Sequence, residues 1–242
     1  VIARIDQAEY VSFDIFDTLL FRMTRFPWQI FEKMLEKAPW LFPDYLDPCE
    51  WKELRKYAEK CAREKKTGKE ITLREIYAEL PEIIQNRNEI MELEIAMEVE
   101  NTFVNPVIGG LLAEVKEQFG KKVILISDMY LSQKDILRIL MENGVNISWF
   151  SRIFVSSEYG NTKSDGSLYN KVCQCLDCDP KKILHVGDNW NGDYIKAKKE
   201  GVEAVYYPVI SEAQYRYPYL GYEYGDYGDV GREIYSIRLL AG

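Results

Sequence analysis

The chain has 242 residues, of which 47% are hydrophobic and 29% charged, and a formal net charge of -8. That length can bury a sizeable core, and the acidic balance argues against broad electrostatic attraction to nucleic acid or to an anionic membrane, both of which depend on clustered positive charge. No apolar run reaches the length of a membrane span and no basic start precedes an apolar stretch, so a cytoplasmic protein is expected, with its five cysteines as reduced thiols.

The first predicted element is a strand within YVSFDIFDTLLFR, residues 10–22. Val11, Phe13 and Ile15 alternate as β-branched or aromatic residues, and Asp14, Asp17 and Thr18 then break the apolar run. Two acids at the end of a strand either cap a turn or stand where α/β sheets place their ligands. Residues 27–38 follow as a helix with Pro27 in its first turn, and 48–66 as a second amphipathic helix. Residues 72–80 begin with a capping box, Thr72 with Glu75, and a long helix is expected from Pro81 to about Asn101. The segment 24–104 is therefore read as helical, with no strand signal.

Beyond it the pattern alternates. A helix over 106–119 precedes a strand at 123–126, which ends in Ser127 and Asp128, and a helix over 132–142 stops at Asn143 and Gly144. A short strand at 153–155, a helix at 167–175 and a strand at 183–186 running into Gly187 and Asp188 come next. A helix over 191–200 and a strand at 202–206 complete the alternation. Such βαβ order predicts a parallel sheet with right-handed crossovers, interrupted by one helical insert after its first strand. Cys173, Cys175 and Cys178 are read as core or surface thiols rather than a zinc site, because the only histidine, His185, lies in a predicted strand. The tyrosine-rich stretch 211–242 is expected to pack across its own domain or to link to another.

Four points on this frame deliver polar groups from strand ends or loops: Asp14, Ser127 ending ILIS, Lys163 in GNTKSDG, and Asp188 with Asp193 in HVGDNWNGD. A nucleophilic carboxylate, a hydroxyl, a cation and two further acids suit phosphoryl transfer, in which Mg²⁺ and fixed positive charge neutralise the transferring oxygens.

In these motifs the chain resembles the haloacid dehalogenase superfamily over roughly residues 10–207. The resemblance implies a three-layer, Rossmann-like α/β core (1–23 and 105–210) and an all-helical cap (24–104). It also implies Mg²⁺-dependent hydrolysis of a small phosphorylated substrate through an aspartyl-phosphate. Asp14 matches the nucleophile, Thr18 the threonine of the first motif, Ser127 the second motif, Lys163 the third, and Asp188 with Asp193 the acidic fourth. The implied metal site comprises Asp14, the Phe16 carbonyl, Asp188 and Asp193. More narrowly, SFDIFDTLL and SDMYL are similar to a bacterial branch of hydrolases associated with surface-polysaccharide and glycosyltransferase genes, which suggests a partner in that context.

One departure stands out. The family's phosphatases carry an acid/base Asp two positions after the nucleophile, and here that residue is Phe16, which transfers no proton. Asp17 is one position further along and serves the role only if a tight turn redirects it. Three readings follow: a phosphatase using Asp17 or a cap residue as acid/base, a module that binds a phosphorylated ligand or partner, and a dehalogenase. Arg22 and Arg25 are further candidates for substrate contact, with an ordinary surface role as the alternative.

Overall fold

A computed structural model describes residues 2–24, 26–66 and 68–208. A short helix, α1 (Ile2–Gln7), leads into strand β1 (Tyr10–Phe13), which is buried along its whole length. Burial on both faces explains why the strand is nearly all apolar. After the 14–19 loop the chain forms β2 (Leu20–Arg22) and enters four helices, α2 (Gln29–Lys37), α3 (Pro48–Lys65), α4 (Leu73–Ala78) and α5 (Arg87–Glu100). It returns through β3 (Thr102–Val104).

The remaining elements alternate as expected. They are α6 (Pro106–Glu117), β4 (Lys122–Ser127), α7 (Gln133–Glu142), β5 (Phe150–Val155), α8 (Ser156–Tyr159), α9 (Ser167–Leu176) and β6 (Ile183–Gly187). A π-helical turn (Trp190–Lys196), α10 (Ala197–Lys199) and β7 (Glu203–Tyr206) close the described chain.

Five strands form one parallel sheet in the order β5-β4-β1-β6-β7. Successive residues of β4 divide its two faces. Val123 and Leu125 pack with α6 and α7 in one cluster, while Ile124 and Ile126 pack with Leu168, Tyr169 and Val172 of α9 in the other. This is a three-layer α/β core, and the strand order reverses direction at β1. Such a switch point leaves a crevice beyond the carboxyl ends of the strands.

The helical insert shares the first cluster through Phe31, Trp51, Tyr77 and Ile90. Capping boxes at Asp47 with Glu50 and at Thr72 with Glu75 start α3 and α4. At its centre Arg55 of α3 forks onto Glu94 of α5, Nε to Oε2 at 2.8 Å and the second guanidinium nitrogen to Oε1 at 2.7 Å. Tyr77 donates to the same carboxylate at 2.7 Å. These polar groups are fully buried, so their mutual bonding is what makes their burial tolerable.

Three expectations need correction. The 24–104 segment is not strand-free: β3 lies inside it and pairs antiparallel with β2, Leu20 opposite Val104 and Arg22 opposite Thr102. Three-residue strands are too short to show an alternating pattern. The long helix begins at Arg87 rather than Pro81, because Arg87 turns back to donate to the Leu80 and Ile84 carbonyls and holds the preceding residues in a loop. The helix expected over 191–200 is instead a π turn followed by a short α segment. The tyrosine-rich stretch 211–242 lies outside the described residues.

Candidate active site

Asp14 follows β1 directly, with its N–H donating to the Val186 carbonyl of β6 at 2.9 Å. The chain then reverses tightly. Leu20 N–H donates to the Ile15 carbonyl and Asp17 N–H to the Leu20 carbonyl, both at 2.7 Å. Asp17 accordingly has a left-handed backbone, φ +61°, a conformation that aspartate tolerates better than most residues. Asn105 fastens this loop: its side chain donates to the Thr18 carbonyl at 2.8 Å and its N–H to the Leu19 carbonyl at 2.9 Å.

Lys163, in the loop before α9, brings its Nζ to 2.7 Å from Asp14 Oδ1 and 2.6 Å from Asp193 Oδ1. Asp128, immediately after β4, holds that loop by accepting from Lys163 N–H at 2.7 Å and from Ser164 N–H at 3.2 Å. Asp193, on the π turn, accepts from Asn189 N–H at 2.9 Å and lies 3.1 Å from His185 Nε2. The other ring nitrogen of His185 is 2.8 Å from Ser12 Oγ on β1, its register partner. A continuous polar chain, Ser12 to His185 to Asp193 to Lys163 to Asp14, thus links β1 and β6 to the loop before α9. Thr18 donates to Asp188 Oδ1 at 3.1 Å and orients the third acid of the site.

The electrostatics follow from this crowding. Burial raises Asp14, with Lys163 opposing and Asp193 adding to the rise. Burial and the charges of Asp14 and Asp193 push Asp188 up to about 8. Burial also acts on Asp193, but Lys163 and His185 outweigh it and hold that carboxyl below its ordinary value. Asp128 is pushed up to about 6, chiefly by burial. Lys163 stays well above its ordinary value because Asp14 and Asp193 overcome its desolvation.

Carboxylate oxygens of Asp14, Asp188 and Asp193 lie within 4.8 Å of one another. Asp14 Oδ1 is buried and, despite its ion pair, has no aligned hydrogen bond among the described residues. Three clustered acids facing one lysine leave a deficit of positive charge, and hard oxygen donors are the set that Mg²⁺ prefers. The residues present therefore fit a divalent cation.

Of the residues singled out in the sequence, Asp14, Lys163, Asp188 and Asp193 are brought together. Ser127 is buried at the end of β4, and Leu125, two residues earlier, pairs with Phe13 of β1, so Ser127 stands beside the loop that carries Asp14. Asp17 is not part of that cluster: its Oδ2 accepts from Arg22 at 2.7 Å, while its charge still acts on Asp188. The Phe16 ring lies beneath the same guanidinium, 4.4 Å from its centre. Arg22 is hence a buried side chain rather than a surface one, and Arg25 lies outside the described residues. Sequence reasoning missed Ser12, Asn105, Asp128 and His185. The available signal was a polar residue inside or directly after a strand that is otherwise apolar.

A five-stranded parallel sheet of this order, with an aspartate after its central strand, a lysine ion-paired to it and two more aspartates after the neighbouring strand, defines a hydrolase of the haloacid dehalogenase class. Residues 9–201 match the family model of haloacid dehalogenase-like hydrolases, and the chain belongs to that family.

Among solved structures it is similar to a 2-haloacid dehalogenase from Pseudomonas syringae pv. Tomato, at 16% identity and TM-score 0.59, over 83% of this chain and 86% of that one. It is also similar to L-2-haloacid dehalogenase from Xanthobacter autotrophicus, solved with chloropropionic acid covalently bound, at 13% identity and TM-score 0.59, over 87% and 81%. A predicted phosphoglycolate phosphatase from Haemophilus somnus matches at 16% identity and TM-score 0.56, over 86% and 91%. These likenesses concern the fold. Comparison with curated proteins gives no match.

Proposed function

We propose that this hydrolase is a Mg²⁺-dependent phosphohydrolase of a small phosphorylated metabolite, working through an aspartyl-phosphate on Asp14. The observation that carries the reading is the cluster of Asp14, Asp188 and Asp193 around a common point, with Lys163 beside it. Displacement of halide from a haloacid needs neither a cation nor three acids, so the cluster favours phosphate over the chemistry of the dehalogenase neighbours. A module that binds phosphate without turnover is the second reading, and it rests on Phe16 in place of the usual acid/base.

Asp14, Asp188, Asp193 and the Phe16 carbonyl would hold Mg²⁺, which when bound supplies positive charge to the phosphoryl oxygens. A carboxylate oxygen of Asp14 attacks phosphorus as the bond to the leaving oxygen breaks. The Lys163 ammonium and the Ser127 hydroxyl steady the charge that gathers on the phosphoryl oxygens. Asp17 gives a proton to the departing oxygen and then takes one from the water that cleaves the acyl-phosphate, which regenerates Asp14. The insert between β2 and β3 acts as the cap that selects the leaving group and limits water access.

A screen of sugar phosphates and other phosphorylated metabolites with Mg²⁺, comparing the parent with Asp14→Asn, tests the reading. Asp14-dependent phosphate release supports it, whereas none across the panel moves the conclusion to the binding module. Metal-independent halide release from a 2-haloacid would establish the dehalogenase alternative. In Phe16→Asp, a large gain in turnover would show that Asp17 is an inadequate acid/base, and unchanged or lower turnover supports its role.

A further inference from the structure

Arg22 of β2 lies between two carboxylates. Its terminal nitrogen donates to Asp17 Oδ2 at 2.7 Å, while its Nε faces Oε2 of Glu98, on α5, across 3.6 Å. That second gap is too long for a hydrogen bond. Both atoms across it, Arg22 Nε and Glu98 Oε2, are buried and have no hydrogen-bond partner among the described residues. The two groups form an ion pair without a hydrogen bond, and a buried charged donor and acceptor left so cost free energy that closing the gap recovers.

The placement of Glu98 follows from the ribbon that joins insert and sheet. Its backbone carbonyl accepts from Thr102 Oγ1 at 2.7 Å, and Thr102 is the register partner of Arg22. Glu98 is therefore tied through its backbone to the residue opposite Arg22. The neighbouring acid on the same helix, Glu94, is already bound by Arg55 and Tyr77.

We propose that Glu98 is a positioning residue, the alternative anchor for Arg22, and that passing the guanidinium from Asp17 to Glu98 releases Asp17 to bind the proton that it then gives to the leaving oxygen. This rests on the phosphohydrolase reading with Asp17 as acid/base. In the arrangement seen here Asp17 is ion-paired to Arg22 through Oδ2. Glu98 attracts the guanidinium only as an anion. The charged groups that act on it are Arg22 from β2, Asp17 from the loop, Arg55 from α3 and Glu94 from its own helix. Burial first, then Glu94 and Asp17, push its carboxyl up to about 7 against Arg22 and Arg55, so the exchange is poised near neutral pH. Above that point ionised Glu98 competes for Arg22, and below it Asp17 keeps the guanidinium.

Two measurements on the full chain decide the matter. In protein labelled isotopically at arginine, the Nε–H resonance of Arg22, assigned by its loss in Arg22→Lys, is expected to move with pH with a midpoint of about 7. That movement is expected to vanish in Glu98→Gln and to persist in Asp17→Asn. A resonance that ignores pH, or one that still titrates in Glu98→Gln, would overturn the exchange.

The second measurement compares leaving groups with Mg²⁺ present. Nitrophenolate leaves without a proton and a sugar alkoxide does not. Glu98→Gln should therefore lower kcat/KM about tenfold for a sugar phosphate and little for p-nitrophenyl phosphate, a modest part of the 10²- to 10⁴-fold that a general acid supplies. Adding Arg22→Gln to Glu98→Gln should restore part of the loss. Equal losses on both substrates, or no restoration, mean a merely structural role and reject the proposal. Absence of Asp14-dependent turnover alongside a Glu98-dependent resonance rejects the phosphohydrolase reading and the catalytic purpose, and leaves the exchange standing.

Discussion

Gly187 ends β6 without a side chain because Asp193 occupies the space: a Cβ there would come within 2.4 Å of Asp193 Cγ and Oδ2. Gly187→Ala should push that carboxylate off Lys163 and His185, lowering turnover at least tenfold and reducing the melting temperature, as steady-state kinetics and calorimetry would show. Parent-like values for both would mean that Asp193 does not need its present position. Asp14 and Asp188 were legible in the sequence because each is an acid where an apolar run stops, and Lys163 and Asp193 because of the loop motifs GNTKSDG and HVGDNWNGD that carry them. The direction of Asp17 was not, since it depends on a single positive φ and on Arg22 five residues away. Ser12 and His185 looked like isolated polar residues in strands until the register placed them side by side and aimed the imidazole at Asp193.

The βαβ alternation and the capped helices were readable at the scale of elements, because periodicity and capping boxes are local signals. The β2 and β3 ribbon was not, as three residues of pairing leave no periodic trace and the pairing joins positions some eighty residues apart. The start of α5 was misjudged for a related reason: the side chain of Arg87, not local propensity, ties down the loop before it. Within the insert, α3 and α5 are joined by Arg55 and Glu94. Arg55→Met should leave Glu94 as an uncompensated buried charge and cost about 3–5 kcal/mol of stability, read from urea unfolding. Replacing both residues with apolar ones of similar volume should cost much less, so a double variant as unstable as the single one would contradict this view of the pair.

For the whole molecule the consequence is a pH dependence of stability that a cation reverses. Asp188 and Glu98 are raised in the folded state, to about 8 and about 7. Between the unfolded carboxylate range near 4 and those values, the folded protein holds protons that the unfolded chain has released. Their contribution is fully present below the unfolded values and is lost as pH rises through the folded ones. Without divalent cations, the melting temperature should therefore fall from about pH 5 to about pH 8. Mg²⁺ binds the deprotonated acids, so its stabilising shift should grow over the same interval and be accompanied by proton release. A shift independent of pH, or absent, would separate the acidic cluster from cation binding.

The most direct measurement is acid-quench trapping with a substrate that carries a radiolabelled phosphoryl group, followed by peptide mapping. The mechanism predicts label on the peptide that contains Asp14, formed only with Mg²⁺ and missing from Asp14→Asn. Phosphate release without any enzyme-bound label, or label that persists in Asp14→Asn, would contradict it.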